Sequence, residues 1–394
     1  MITVSGLSGP VSWATESGSG PGSPVPCVDP VLPGPAHGDA AVRALGADII
    51  AVAARNGTNP SELARHLRAD RSLWVDQCGD LFFSDELVAD VDLSATSEDG
   101  ASWPSTIPAA DAFLLHSRPG AERVLFLDFD GHFISGTAWN SMYAQDPWMA
   151  PAFSTDGDPS TFSDAERNVI IETWRRVAQD YAPFNVDVTT QDPGQEAITR
   201  SGLSDARFGT RVLISPDATQ AKCGCGGRAY VDVFDRTSSH EVTQPAWVYP
   251  QVLSNKASNI AEAASHEAGH TLGLSHDGTQ TASYYNGSGG WGPIMGSPYG
   301  QAISQWSDGS YPGANNFEDD VVKISGNGAP LVGDDVGDSA GVALAVPLPG
   351  SVSAMVNSRT DVDVFSVVTA GGRLVASAYP YLPGPNLDLS LTLA

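Results

Sequence analysis

HEAGHTLGLSHDG, residues 266–278, gathers three of the chain's eight histidines, with a glutamate beside the first and an aspartate after the last. His266 and His270 stand four apart, so on a helix both imidazoles leave from one face and can reach one ion. Glu267 is next to His266 and can reach a water on that ion. Gly273 interrupts the helical run, and its backbone freedom lets the chain swing back to deliver His276. Three neutral imidazoles leave a fourth position open, which is the pattern of a catalytic zinc rather than a closed structural one. A bare HExxH arises by chance in a long chain. The added Gly273, His276 and Asp277 leave that reading little room, and the stretch reads as a metal site.

The rest of the chain frames that site. Its 394 residues suffice for two or three domains with real cores, and 41% hydrophobic content suits a globular protein. Against 20 basic residues stand 46 acidic ones, a formal charge of -26 that repels nucleic acid and anionic membranes, so neither is an expected partner. No stretch is apolar for long enough to span a bilayer. The opening MITVSGLSGPVSWATESGSGP has neither a basic n-region nor a compact apolar h-region, so no signal peptide is read there. Four cysteines permit two disulfides without establishing an oxidising compartment. Cys223 and Cys225 are too few for a zinc ribbon; bonding to each other or elsewhere both stay open.

Composition and periodicity divide the chain. Residues 1–39 are rich in Gly, Ser and Pro and read as a flexible lead-in. Residues 40–110 read as a small helical region closing with a strand and turn at LWVDQCGDLFFSDE, then a linker. Within it, Asn59 caps a helix with Pro60 in its first position and Glu62 in its third. Residues 120–330 read as a mixed α/β domain. ERVLFLDFDGHFI (122–134), FNVDVTT (184–190), TRVLISPDA (210–218) and GRAYVDVFD (227–235) are its strands. One helix follows the Ser163/Glu166 capping box, and a second, from about 259 to 272, carries the histidines. Asp128, Asp130 and His132 in LDFDGH read as a strand end and turn, with a calcium role left open. From 333 to 394, short alternating runs between Gly, Pro and Asp turns read as an all-β module.

HEAGHTLGLSHD resembles the extended signature of the metzincin clan of zinc endopeptidases, and its closing His-Asp is most similar to the reprolysin-like branch. The resemblance implies a twisted sheet with two long helices, zinc on His266, His270 and His276, Glu267 as catalytic base, and Gly273 and Asp277 in support. It also implies a methionine in a tight turn beneath the zinc. Met295 in GPIMGSPY is the candidate, nineteen residues after His276. The metal-facing tyrosine of some members falls on Ser297 here, and Tyr299 is left out of the site. GRAYVDVF is the expected edge strand, aligning extended polypeptide substrate by strand addition, although a plain core strand fits equally.

Secreted proteases of this kind carry propeptides, and the 40–110 region is expected to be one. Cys78 in DQCGDL loosely resembles a prodomain cysteine that blocks the zinc, a use that competes with a Cys27–Cys78 disulfide. The region 333–394 resembles a truncated pre-peptidase C-terminal β-sandwich. A secreted, monomeric zinc endopeptidase is the resulting expectation. A catalytically silent binding or adhesion protein, and a metal-dependent hydrolase of small amides or esters, are its alternatives.

Overall fold

The computed structural model describes residues 29–87, 93, 106–142, 144–217, 223–382 and 384–393. Most of the expected lead-in, including Cys27, lies outside them. Its last part is ordered structure: Leu32 is buried and Ala36–His37 (β1) pairs with the strand Leu73–Val75 (β2). Between these strands come Gly38–Leu45 (α1), Ile49–Arg55 (α2) and Pro60–Ala69 (α3), and the hairpin closes with Leu81–Glu86 (β3). α3 starts as its sequence dictates. The Asn59 side chain accepts a 2.9 Å hydrogen bond from the Glu62 N–H, and Pro60 occupies the first turn. This N-terminal unit has its own core, in which Leu45, Val52, Leu63 and Leu67 meet Val75, Leu81 and Phe83. Phe82, between the last two, points through the opposite face of β3 to Trp139, Tyr230 and Trp247, as strand alternation requires.

The chain continues through Arg123–Asp128 (β4), His132–Ile134 (β5), Ala138–Met142 (α4), Trp148–Ala150 (β6), Asp164–Asp180 (α5) and Val186–Thr189 (β7). Gln195–Ile198 (α6), Phe208–Ile214 (β8), Cys225–Tyr230 (β9), Ala246–Val248 (β10) and Ala257–Thr271 (α7) follow. Both halves of the Ser163/Glu166 capping box are made at the start of α5. On β4, Leu125 and Leu127 pack in one core with Ile170, Ile171 and Val177 of α5 and with Ile260, Ala264 and Ala268 of α7. Val124 and Phe126 face the other way, against Ile198 of α6. The two longer helices lie together on the sheet: the Tyr181 hydroxyl donates to the Ser265 carbonyl at 3.0 Å and the Ser265 hydroxyl to Asp180 at 2.6 Å.

One mixed sheet of eight strands results, in the order β1-β2-β3-β9-β10-β8-β4-β7. Its β10, β8, β4 and β7 run parallel to one another, and β9 to β1 alternate antiparallel. Here the expected edge strand is corrected. β9 is interior, because β3 of the N-terminal unit pairs along it, Phe82 opposite Tyr230 through Asp85 opposite Gly227, with a bulge after Asp85. The hairpin of the N-terminal unit therefore extends the main sheet.

Beyond α7 come Trp291–Pro293 (β11), Ile303–Gln305 (β12), Asp320–Gly326 (α8), Leu344–Ala345 (β13) and Phe365–Ser366 (β14). The expected C-terminal β module amounts, among the described residues, to the two-residue pair β13–β14. Its alternating apolar side chains face no opposing layer, and Val368 is 92% exposed. No described helix is long and apolar enough to cross a membrane.

Candidate metal centre

α7 positions the first three residues of the site. It packs on both α5 and the sheet, so His266, Glu267 and His270 are all buried. The helix ends in a paired cap: the Gly273 N–H reaches the His270 carbonyl at 2.9 Å and the Leu274 N–H reaches that of Gly269 at 3.0 Å. Gly273 has φ +91°, and a Cβ there would lie 2.4 Å from Asn327 Nδ2 and 3.0 Å from Asp232 Oδ1. No other residue meets both demands. Gly273→Ala is expected to cost about 1–3 kcal/mol, read as a lowered denaturation midpoint, because strain at φ > 0 adds to the clash.

The reversal brings the third histidine to the first two. His270 Nε2 and His276 Nε2 are 3.1 Å apart. Asp85 of β3 joins them, its carboxylate oxygens 3.1 Å from His276 Nε2, 3.2 Å from His270 Nε2 and 3.5 Å from His266 Nε2. One ligand atom from each of the four residues lies within 4.8 Å of the others, and all four residues are buried. A tetrahedral ion with bonds of about 2.0–2.1 Å needs donor atoms roughly 3.3 Å apart, so the spacing is that of a metal site.

Hydrogen bonds on the far side of each ring fix which nitrogen faces inward. His266 Nδ1 lies 2.8 Å from the Ile294 carbonyl, and His270 Nδ1 lies 2.9 Å from the Leu274 carbonyl. A carbonyl only accepts, so Nδ1 donates and Nε2 keeps the lone pair a metal requires. His266 Nε2 is buried with no hydrogen-bond partner, an unmet valence that a cation would satisfy. His276 Nδ1 is held instead by Asp70 Oδ2 at 2.6 Å, from the N-terminal unit. Burial disfavours a charged His276, but Asp70 and Asp85 outweigh it and raise its pKa to about 10. Burial lowers that of His270 to about 4, against the pull of Asp85. The two carboxylates thus make this a place for positive charge, and a divalent cation answers that demand better than one imidazolium.

Glu267 lies on the other flank. It is 1% exposed, its Oε2 is buried without a hydrogen-bond partner, and burial with Asp85 nearby pushes its carboxyl well above the usual range. Its carboxylate rests on the backbone of β9, where a Cβ on Gly227 would come 2.1 Å from Oε1. Gly227→Ala is expected to swing the carboxylate aside. Metal binding should persist while any hydrolytic rate falls at least tenfold, which titration calorimetry and steady-state kinetics would separate.

Met295 is fully buried, and its sulfur fills the space that a side chain at Gly269 would need. Its carbonyl accepts from the Asp277 N–H at 2.8 Å, and its neighbour Ile294 holds His266. Asp277 is buried outside the four-residue cluster, and its own carbonyl accepts from the Tyr285 N–H at 2.8 Å.

Cys78 does not reach the histidines. It is disulfide-bonded, in the turn of the same hairpin whose β3 carries Asp85. Asp85, not Cys78, stands with the three imidazoles. Cys223 and Cys225 are bonded to each other. The LDFDGH turn is no metal group either: Asp128 is buried and ion-paired with Arg211. Sequence reasoning missed Asp70, Asp85 and Tyr284, whose hydroxyl donates to Asp85 at 2.9 Å and whose ring lies 4.4 Å from that of His276. None carries a local signal, since the fold alone brings Asp70 and Asp85 to a motif far downstream.

The fold and this cluster define a mixed α/β protein with a buried site of three histidines and one aspartate, able to chelate a divalent metal such as zinc. Comparison with protein-family models finds no match, and comparisons with the curated proteins and with solved structures find none either.

Proposed function

We propose that the chain is a zinc-dependent endopeptidase. The observation that carries this reading is the buried Glu267 carboxylate, unpaired at Oε2, beside three convergent histidine nitrogens and against the backbone of β9. A site built only to hold an ion has no use for an additional, costly buried carboxylate. A hydrolase does, as a base that burial holds above the ordinary carboxylate range. Zinc, when bound by His266, His270 and His276, supplies a Lewis acid and an acidified water.

The chain's own residues supply the rest. Glu267 accepts the proton of the attacking water and then gives it to the leaving amine. β9 offers its backbone to an extended peptide on the side now paired with β3, which favours polypeptides over small amides or esters. Gly227 keeps that strand free of a side chain where the base must lie. The Cys223–Cys225 disulfide and the bonded Cys78 support a secreted setting, where thiols stay oxidised. The test is cleavage of casein by zinc-loaded protein beside a chelated sample, with metal-dependent release of peptides as the expected result. Because β3 covers β9 in the intact chain, the assay belongs on protein whose N-terminal unit has been detached.

A further inference from the structure

We infer that Asp277 and Asp320 hold a second cation, of the calcium class, in the interior beneath the turn that delivers His276. Both residues are 0% exposed. Asp277 Oδ2 and Asp320 Oδ1 are each buried without a hydrogen-bond partner. Ser307 brings the two side chains to one place. It is itself buried, its N–H donates to Asp320 Oδ2 at 2.8 Å, and its hydroxyl lies beside Asp277. Tyr311 closes the other side of Asp277. Its hydroxyl is 3.5 Å from Oδ1 and donates instead to the Gly278 carbonyl at 2.8 Å.

Two carboxylates in the interior need a counter-charge, because each is costly to bury alone. The basic side chains around them are engaged elsewhere. Lys323 pairs with Glu318 at 2.9 Å, Arg359 with Asp319 at 2.9 Å, and His276 turns its nitrogens to Asp70 and Asp85. Burial, and then the Asp277 charge, push the Asp320 carboxyl well above the usual range, so the two groups are near enough to repel. A cation between them satisfies both orphan oxygens at once. The donors are oxygens alone, which favours calcium over zinc, and calcium accepts irregular and bidentate carboxylate geometry. Asp320 is the first residue of α8 and Asp277 follows His276, so such an ion ties that helix to the turn of the third histidine. The site stands whether or not the metal centre is hydrolytic.

The experiment uses the full chain, stripped with a chelator and reloaded with zinc. Terbium(III) serves as the calcium probe, since a neighbouring tyrosine sensitises its emission and Tyr311 flanks this site. A second acidic group, Asp334 with Asp361 and Asp363, also attracts cations, so a variant there is the control. The wild type should give sensitised emission that calcium displaces, and millimolar calcium should raise its melting temperature by roughly 3 °C or more. Asp320→Asn should keep its zinc, lose the calcium shift and drop at least tenfold in emission. Asp361→Asn should change neither readout. If Asp320→Asn does not fold, Asp277→Asn carries the same expectation for emission and calcium.

Emission and a calcium shift that persist in Asp320→Asn and Asp277→Asn would overturn the inference. So would their loss in Asp361→Asn alone, which would place the ion in the other acidic group. A wild type that takes up no calcium in equilibrium dialysis against millimolar concentrations would overturn it as well, and would mean that the two carboxyls share a proton instead.

Discussion

Glu267→Gln should leave zinc stoichiometry and affinity unchanged within about threefold while lowering kcat by roughly 10²–10⁴, the range over which a positioned base contributes. The amide is close to the carboxylate in size, so the packing against Gly227 survives and only the basic oxygen is lost. The substitution also removes a buried group that burial and Asp85 push toward its protonated form. Thermal stability should therefore be equal to or slightly above that of the parent, since an unpaired buried carboxylate is costly. Stopped-time peptide release and a zinc titration on the detached protein measure both sides. A variant that cleaves at the parent rate would remove Glu267 from the chemistry; one that loses its zinc would make it part of the metal-holding structure.

His270→Ala should cost more than about a hundredfold in zinc affinity, since changes to the partners of ligands alone cost 10–100-fold. His270 is the most enclosed of the three, fully buried and joined at Nε2 to both His276 and Asp85. Its loss leaves the Leu274 carbonyl without the imidazole donor and opens a void beneath the Phe83 ring. Stability makes a clean readout. At free zinc about 1,000 times Kd, the parent should gain roughly 4 kcal/mol by linkage, and the variant should gain almost nothing. Equal zinc-dependent shifts in melting temperature would exclude His270 as a ligand.

Much of the site was legible because its logic is local. The i, i+4 pair on α7 and the glycine cap that follows are helix geometry, decided within the span from His266 to His276. The Asn59 and Ser163 caps were legible for the same reason: each is a bond between residues three apart. The mixed α/β class followed from alternating strand and helix periods. Strand neighbours did not, because a strand's pattern states which faces are apolar and is silent on which partner lies beside it. GRAYVDVF read equally as an edge or a core strand, and β3 covers it. The C-terminal runs alternate like strands, but alternation without an opposing layer buries nothing, and little sheet forms there.

The sequence by itself determined the three histidines, the glutamate beside them and the glycine that turns the chain, because these are short-range consequences of backbone geometry. Tertiary structure decided what faces them. Asp70, Phe83 and Asp85 look like ordinary loop and strand residues until β3 pairs with β9 and carries them to the imidazoles. The same pairing set aside Cys78, which shares their hairpin but not their position. The three histidines can be read from spacing along one helix and the turn that follows it. Which carboxylate joins them depends on a contact between distant strands, and that is fixed only when the sheet assembles.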